Sequence, residues 1–246
     1  MSGQLYDEIG EAFEGFKTLP LARYGEVPGF LGLVGDVQGR SILDLACGTG
    51  FYSREFKRRG ASHVLGVDIS GEMIAAARAI EEKDPLGIDY EIGDIAELRA
   101  FDEPFDLAIA VQAFNYADSV ATIERMCRHI HRSLAEGAEF FLFGQSPGFR
   151  FDGPSLAKYG FTCEPDGAET EIGPRVRVTA LLDPPIAFAA NPPSREVYEN
   201  SLRAAGFTDL TWVPLTISDA GVREYGEEFW ADFAGNPPLE MLRCRA

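Results

Sequence analysis

Apolar and polar positions along this chain repeat with two periods, and the switches between them mark its elements. Leu5, Ile9, Phe13 and Phe16 recur at helical spacing and predict a helix over residues 5–17. Pro20 and Pro28 bound a loop after it. Residues 41–46 read as a short buried strand, followed at once by Gly48 and Gly50 and a helix over 51–59 that Gly60 ends. A second strand, 63–69, carries Val64, Leu65 and Val67, which suit burial on both faces. Ser70 is placed to cap an alanine-rich helix that runs to about Lys83 and is closed by Pro85. Strands follow at 88–92 and 105–111. Val120, Ile123, Met126, Ile130 and Leu134 mark one helix face, and 139–143 is strongly strand-like.

Strands alternating with helices at this spacing predict βαβ units, hence an α/β fold around a mostly parallel sheet. Right-handed crossovers make it doubly wound, with helices on both faces. The pattern changes over residues 146–193, which hold many prolines and glycines and only short apolar runs, at 175–182 and 186–190. That stretch reads as an insertion on the ligand side of a single domain spanning 1–246. A helix at 194–205, ended by Gly206, and strands at 210–217 and 239–245 complete the chain.

Composition narrows the function classes. A net charge of −17 disfavours nucleic acid and anionic membrane surfaces as partners. No apolar run approaches membrane-spanning length, and no signal peptide is recognisable, so the expectation is a cytoplasmic protein. Cys47, Cys127, Cys163 and Cys244 form no C-x-x-C pair and read as reduced thiols. His129 and His131 flank the apolar Ile130 and read as exposed, and His63 falls at the amino edge of the sheet. These histidines share no ligand spacing, so no metal is expected.

The chemistry concentrates in Ile42-Leu-Asp-Leu-Ala-Cys-Gly-Thr-Gly50. Gly48 and Gly50 permit a tight turn and close backbone approach to a ligand. A dinucleotide fingerprint needs a third glycine where Ser53 stands. Asp44 would also repel a pyrophosphate, whereas it could hold an ammonium group. Together with Asp68 at the end of the next apolar run, these residues favour S-adenosylmethionine over a dinucleotide. An NAD-dependent oxidoreductase and a non-catalytic nucleoside-binding module stand as alternatives.

The run Asp44-Leu-Ala-Cys-Gly-Thr-Gly50 resembles the first motif of class I S-adenosylmethionine-dependent methyltransferases. Gly66-Val-Asp-Ile-Ser70, Gly93-Asp94-Ile95 and Asp106-Leu-Ala-Ile-Ala-Val-Gln112 resemble the second, third and fourth motifs, in order. The resemblance implies a seven-stranded Rossmann-like sheet in the order 3-2-1-4-5-7-6 with one antiparallel strand. It implies a cofactor site made of Asp44, Ala46, Gly48, Gly50, Asp68, Ile69, Met73, Asp94, Ile95 and Gln112. In that site Asp68 accepts from the ribose hydroxyls, Ile69 and Met73 pack on the adenine, and Asp94 and the Ile95 N–H read its edge. Gly48 and Asp44 lie near the methionine portion.

Methyl transfer needs approach geometry and desolvation more than a dedicated base. Candidates beside the reacting centre are Tyr6, Gln112, Asn115 and Tyr116. Candidates for holding a substrate are Tyr6, Phe16, Phe114, Phe149 and Tyr159, with residues 1–30 as a lid helix and loop. A narrower resemblance, to toxoflavin-synthase-type N-methyltransferases, rests on four stretches. They are Tyr6-Asp-Glu-Ile-Gly-Glu-Ala-Phe13, Gln145-Ser-Pro-Gly-Phe149, Tyr159-Gly-Phe161, and the ending from Phe229-Trp-Ala-Asp-Phe233 to Asn236-Pro-Pro-Leu-Glu-Met-Leu-Arg243. It implies N-methylation of a small heteroaromatic molecule in secondary metabolism, with O-methylation of a small molecule as the alternative.

Overall fold

The computed structural model describes residues 14–246. The described strands are β1 (Ser41–Leu45), β2 (His63–Asp68), β3 (Asp89–Ile92), β4 (Phe105–Val111), β5 (Leu134–Gln145), β6 (Phe161–Glu169), β7 (Pro174–Ala180), β8 (Ile186–Ala190), β9 (Thr208–Pro214) and β10 (Leu239–Arg245). Seven form a sheet in the order β3-β2-β1-β4-β5-β10-β9, and β6-β7-β8 form a separate antiparallel sheet. In the larger sheet β10 runs antiparallel to both β5 and β9, and the remaining pairings are parallel. Setting the small sheet aside, this is the expected 3-2-1-4-5-7-6 order.

Alternation along the strands explains the layers. On β1, Ile42 packs to one face and Leu43 and Leu45 to the other. On β5, Phe141 and Phe143 oppose Phe140 and Leu142 in the same way. One face is covered by α1 (Val27–Val34), α2 (Phe51–Arg58), α3 (Gly71–Lys83) and, after α4 (Val120–Arg132), α5 (Arg195–Ala205) and α6 (Asp219–Tyr225), by α7 (Glu227–Gly235). Phe30, Phe56, Ile74 and Phe233 anchor them. Helices α4 and α5 cover the opposite face through Met126, Ile130 and Leu202. Ser70, Ser119 and Ser194 cap α3, α4 and α5, each side chain accepting from a backbone N–H three residues on.

Some expectations need correction, and some elements had not been expected. The predicted loop between Pro20 and Pro28 is instead a π-type turn, Ala22–Glu26, continuing into α1. Pro28 sits in the first turn of α1, where its missing N–H would have had no partner in the helix. Strand β6 and helices α6 and α7 lacked a clear sequence pattern; β6 is largely exposed and contains Pro165 and Gly167. His129 and His131 are half-buried rather than exposed: His131 meets Phe207 edge-on at 5.0 Å, and His129 Nδ1 lies 2.7 Å from Arg132. Residues 5–13 of the predicted first helix lie outside the described residues, and Glu14–Thr18 form a 3-10 turn.

Candidate active site

The informative turns gather at the carboxyl ends of β1 to β4, where open α/β sheets bind ligands. After β1 the chain reverses through Ala46 (φ 56°) and Gly48 (φ 55°), and Gly50 (φ 81°) leads into α2. A left-handed alanine costs about 1–3 kcal/mol and persists only where its surroundings enforce it. The Cys47 N–H bonds the Val67 carbonyl at 3.1 Å, and the Gly50 N–H bonds the Cys47 carbonyl at 2.9 Å. Asp68 completes the clamp. Its two oxygens accept from the Gly48 N–H (2.8 Å) and the Ser70 N–H (2.9 Å), tying the turn to the start of α3.

Asp44 lies on the α2 side of β1, only 2% exposed, and accepts from the Ser53 hydroxyl at 2.6 Å. Burial lifts its carboxyl to about 7, the Ser53 bond opposes the rise, and the nearby Asp68 adds to it. Ser53, at the missing third glycine, thus supports a buried acid. Any side chain at Gly50 would overlap the Tyr90 hydroxyl, so this glycine makes room for Tyr90. Asp44 therefore lies beneath the turn and Gly50 faces Tyr90, and neither of these two expected cofactor residues lines the cleft described next.

The other expected cofactor residues come together. A cleft of about 430 Å³ is lined by Ala46, Gly48, Asp68, Ile69, Met73, Asp94, Ile95 and Gln112. Ile69 is 45% exposed at its lip, an unusual position for an isoleucine unless a flat apolar surface covers it. Asp94 accepts from the Ala96 N–H at 2.7 Å. Asp68, with a second acceptor site on each oxygen, and the Ile69–Met73 pair fit a nucleoside with two ribose hydroxyls and a purine face.

A second, smaller cavity of about 160 Å³ adjoins the cleft and shares Ala46, Val111, Gln112 and Tyr116 with it. Gln112, like Ala46, is held left-handed (φ 56°); its N–H bonds the Phe143 carbonyl, and its Oε1 accepts from Asn115 Nδ2 at 2.5 Å. Two of the three left-handed non-glycine residues described, Ala46 and Gln112, thus stand where the cavities meet; the third, Asp209, lies elsewhere, on β9. Phe16, Phe51, Tyr52, Phe161 and Phe188 make the inner chamber aromatic. Its charged lining residues among those described are Lys17 and Glu26, which form an ion pair with each other. Gln145 Nε2 donates to Cys163 Sγ there at 3.4 Å.

Of the substrate candidates, Phe16 lines this chamber, and Tyr6 lies outside the described residues. Three others are corrected. Phe114 is buried against Phe140 and Tyr198, Phe149 packs against Phe151, and Tyr159 is fully buried and stacked on Trp230. Lys17, Glu26, Tyr52 and Phe188 had not been singled out for the site. They meet only through tertiary packing, and no local pattern marks them. Among the described residues no group of three or more His, Cys, Asp and Glu is arranged to hold a metal ion.

Residues 42–137 match the family model described as a methyltransferase domain. Ubiquinone biosynthesis O-methyltransferase of Xylella fastidiosa (strain 9a5c) is 31% identical over 107 residues, 43% of this chain and 42% of that protein. Malonyl-[acyl-carrier protein] O-methyltransferase of Hamiltonella defensa subsp. Acyrthosiphon pisum (strain 5AT) is 29% identical over 103 residues, 42% of this chain and 38% of that protein. The chain therefore spans about two-fifths of the length of these curated relatives. In fold, it is similar to an S-adenosylmethionine-dependent methyltransferase from Mesorhizobium loti, with a TM-score of 0.67 and 23% identity over 94% of this chain and 100% of that one. Residues 42–137 thus match a methyltransferase domain, and the fold is that of an S-adenosylmethionine-dependent methyltransferase.

Proposed function

We propose that this protein transfers a methyl group from S-adenosylmethionine to a small, uncharged heteroaromatic molecule, with nitrogen as the favoured acceptor, in a secondary-metabolic pathway of the toxoflavin type. The observation that carries this reading is the aromatic inner chamber opening onto the cofactor cleft at Gln112 and Tyr116. Bound S-adenosylmethionine supplies an electrophilic methyl group. The chain's own residues bind, orient and exclude water. Asp68 takes the ribose hydroxyls, Ile69 and Met73 hold the adenine between them, and Asp94 with the Ile95 N–H reads its edge. Gln112, fixed by Asn115, borders the passage between cofactor and acceptor. Phe16 and the other chamber aromatics stack on the acceptor ring.

O-methylation is the second reading, because both curated relatives named above are O-methyltransferases. Their similarity covers only about two-fifths of this chain. The test has two stages. Calorimetry with S-adenosylhomocysteine checks the cleft, and absence of binding at millimolar ligand overturns the cofactor reading. Labelled methyl transfer to matched sets of N–H heteroaromatics and phenols then decides the acceptor atom. Labelling of phenols alone overturns the nitrogen preference.

A further inference from the structure

Methylation of an N–H or O–H acceptor leaves a proton behind. The new N–C or O–C bond forms as the C–S bond breaks, the sulfur keeps that electron pair, and the acceptor's proton must leave. Most ionisable groups around the inner chamber are poor recipients. Burial pushes the Cys163 thiol up to about 11 and the Cys47 thiol and Tyr52 phenol well above their ordinary values, so each stays protonated. Glu26 is the one carboxylate lining the chamber among the described residues.

Its setting is unusual. It ends the buried π-type turn Ala22–Glu26, a helical irregularity found frequently at functional sites. It pairs with Lys17 and accepts from the Tyr52 hydroxyl at 3.0 Å, yet lies away from the Asp68 cleft. The Lys17 ammonium also lies 4.6 Å from the Tyr52 ring centroid and 5.3 Å from that of Phe51. A buried ammonium beside a neutralised carboxyl is ordinarily unfavourable; the two ring faces offset part of that loss. The arrangement places the Glu26 carboxylate on the chamber wall with a cation beside it.

We infer that Glu26 is the proton acceptor of the methyl-transfer reaction, receiving the proton from an N–H or O–H that the substrate directs at its carboxylate. This deepens the proposed function and rests on it. The ion pair is largely buried, so the double variant Lys17→Met/Glu26→Leu removes both charges at once and leaves no unpaired charge, only the Tyr52 hydroxyl without its acceptor.

The probes are 4-nitrophenol, which carries an acidic O–H, and 4-nitroanisole, which lacks it, each titrated into protein loaded with S-adenosylhomocysteine. The wild type is expected to prefer 4-nitrophenol by about tenfold, the scale of one charge-assisted hydrogen bond. It should also keep the bound probe in its neutral, colourless form at a pH above the free probe's midpoint, because a carboxylate that accepts the O–H disfavours its ionisation. The double variant should bind both probes within about twofold of each other, ionise the bound phenol nearer its free midpoint, and keep its affinity for S-adenosylhomocysteine, its melting temperature falling only by the loss of the Tyr52 bond. A purely structural ion pair would lower both probes' binding together. Equal binding of the probes by the wild type, an undiminished preference in the double variant, an unraised midpoint of the bound phenol in the wild type, or failure of both probes to bind while S-adenosylhomocysteine binds would each overturn the inference. Failure to bind S-adenosylhomocysteine itself would instead overturn the cofactor reading.

Discussion

At Asp68 one carboxylate fastens the Gly48 turn to α3 through two backbone N–H groups while lining the cofactor cleft. Its structural and binding roles are separable because each oxygen has a second acceptor site. Asp68→Asn keeps the shape and one acceptor but loses the other and the charge. Calorimetry with S-adenosylhomocysteine should show affinity reduced by about 1–3 kcal/mol, and an unchanged dissociation constant would remove Asp68 from the ribose. Asp44 makes a different prediction. Burial raises its carboxyl from 3.8 to about 7. A carboxyl with a raised folded-state pKa stabilises the fold relative to its ionised form. That contribution is full below the unfolded value and is lost as pH rises through about 7. Asp44→Asn retains an acceptor for Ser53 and escapes this loss. Its melting temperature relative to wild type, measured without ligand, should therefore climb between about pH 5 and pH 8, by the equivalent of roughly 1–3 kcal/mol. A pH-independent difference would show that Asp44 does not titrate in this window. The sequence marked both acids as important, but it could not show that Asp44 faces Ser53 under the turn. That depends on which face of β1 packs against α2.

Among the elements, the sheet was legible because its strands carry apolar residues toward both faces. Such runs between glycine and serine signals have few competing readings. Helix α7 was not legible, although it is tied firmly to the insertion. The Tyr159 hydroxyl donates to the Phe229 carbonyl at 2.8 Å and accepts from the Phe233 N–H at 3.0 Å. It is thus inserted between groups one helical turn apart, while its ring stacks on Trp230 with centroids 5.1 Å apart. Local periodicity carries no trace of a bond spanning 70 residues or more. Tyr159 was expected at the substrate, and its burial assigns it to this joint instead. Tyr159→Phe keeps the stacked ring and removes the bridge. Denaturant unfolding should show a loss of about 1–3 kcal/mol, with affinity for S-adenosylhomocysteine unaltered. A change in ligand affinity larger than the change in stability would return Tyr159 to the site.

For the molecule as a whole, the cleft proposed for the cofactor is lined by residues of motifs read in order along the chain, whereas the inner chamber is assembled from distant parts. Phe16, Lys17 and Glu26 come from its beginning, Phe51 and Tyr52 from α2, and Phe161, Cys163, Val178 and Phe188 from the small sheet. Each is an ordinary apolar or charged residue in its own segment, which is why the acceptor end was the less legible half. The net charge of −17 acts on both cavities at once. S-adenosylmethionine carries a sulfonium, an ammonium and a carboxylate, hence one net positive charge; S-adenosylhomocysteine has lost the sulfonium and is neutral overall. A strongly negative protein attracts the first over distances comparable with the Debye length and leaves the second nearly indifferent. Raising ionic strength from about 0.01 M to about 0.15 M shortens that length from about 30 Å to about 8 Å. Calorimetric titrations across this range should show S-adenosylmethionine binding weakening several-fold while S-adenosylhomocysteine changes little. The gap between substrate and product affinity would then narrow with salt, so product inhibition should grow as salt rises. Equal salt dependence of the two ligands would confine discrimination to groups beside the sulfur and leave the overall negative charge to solubility.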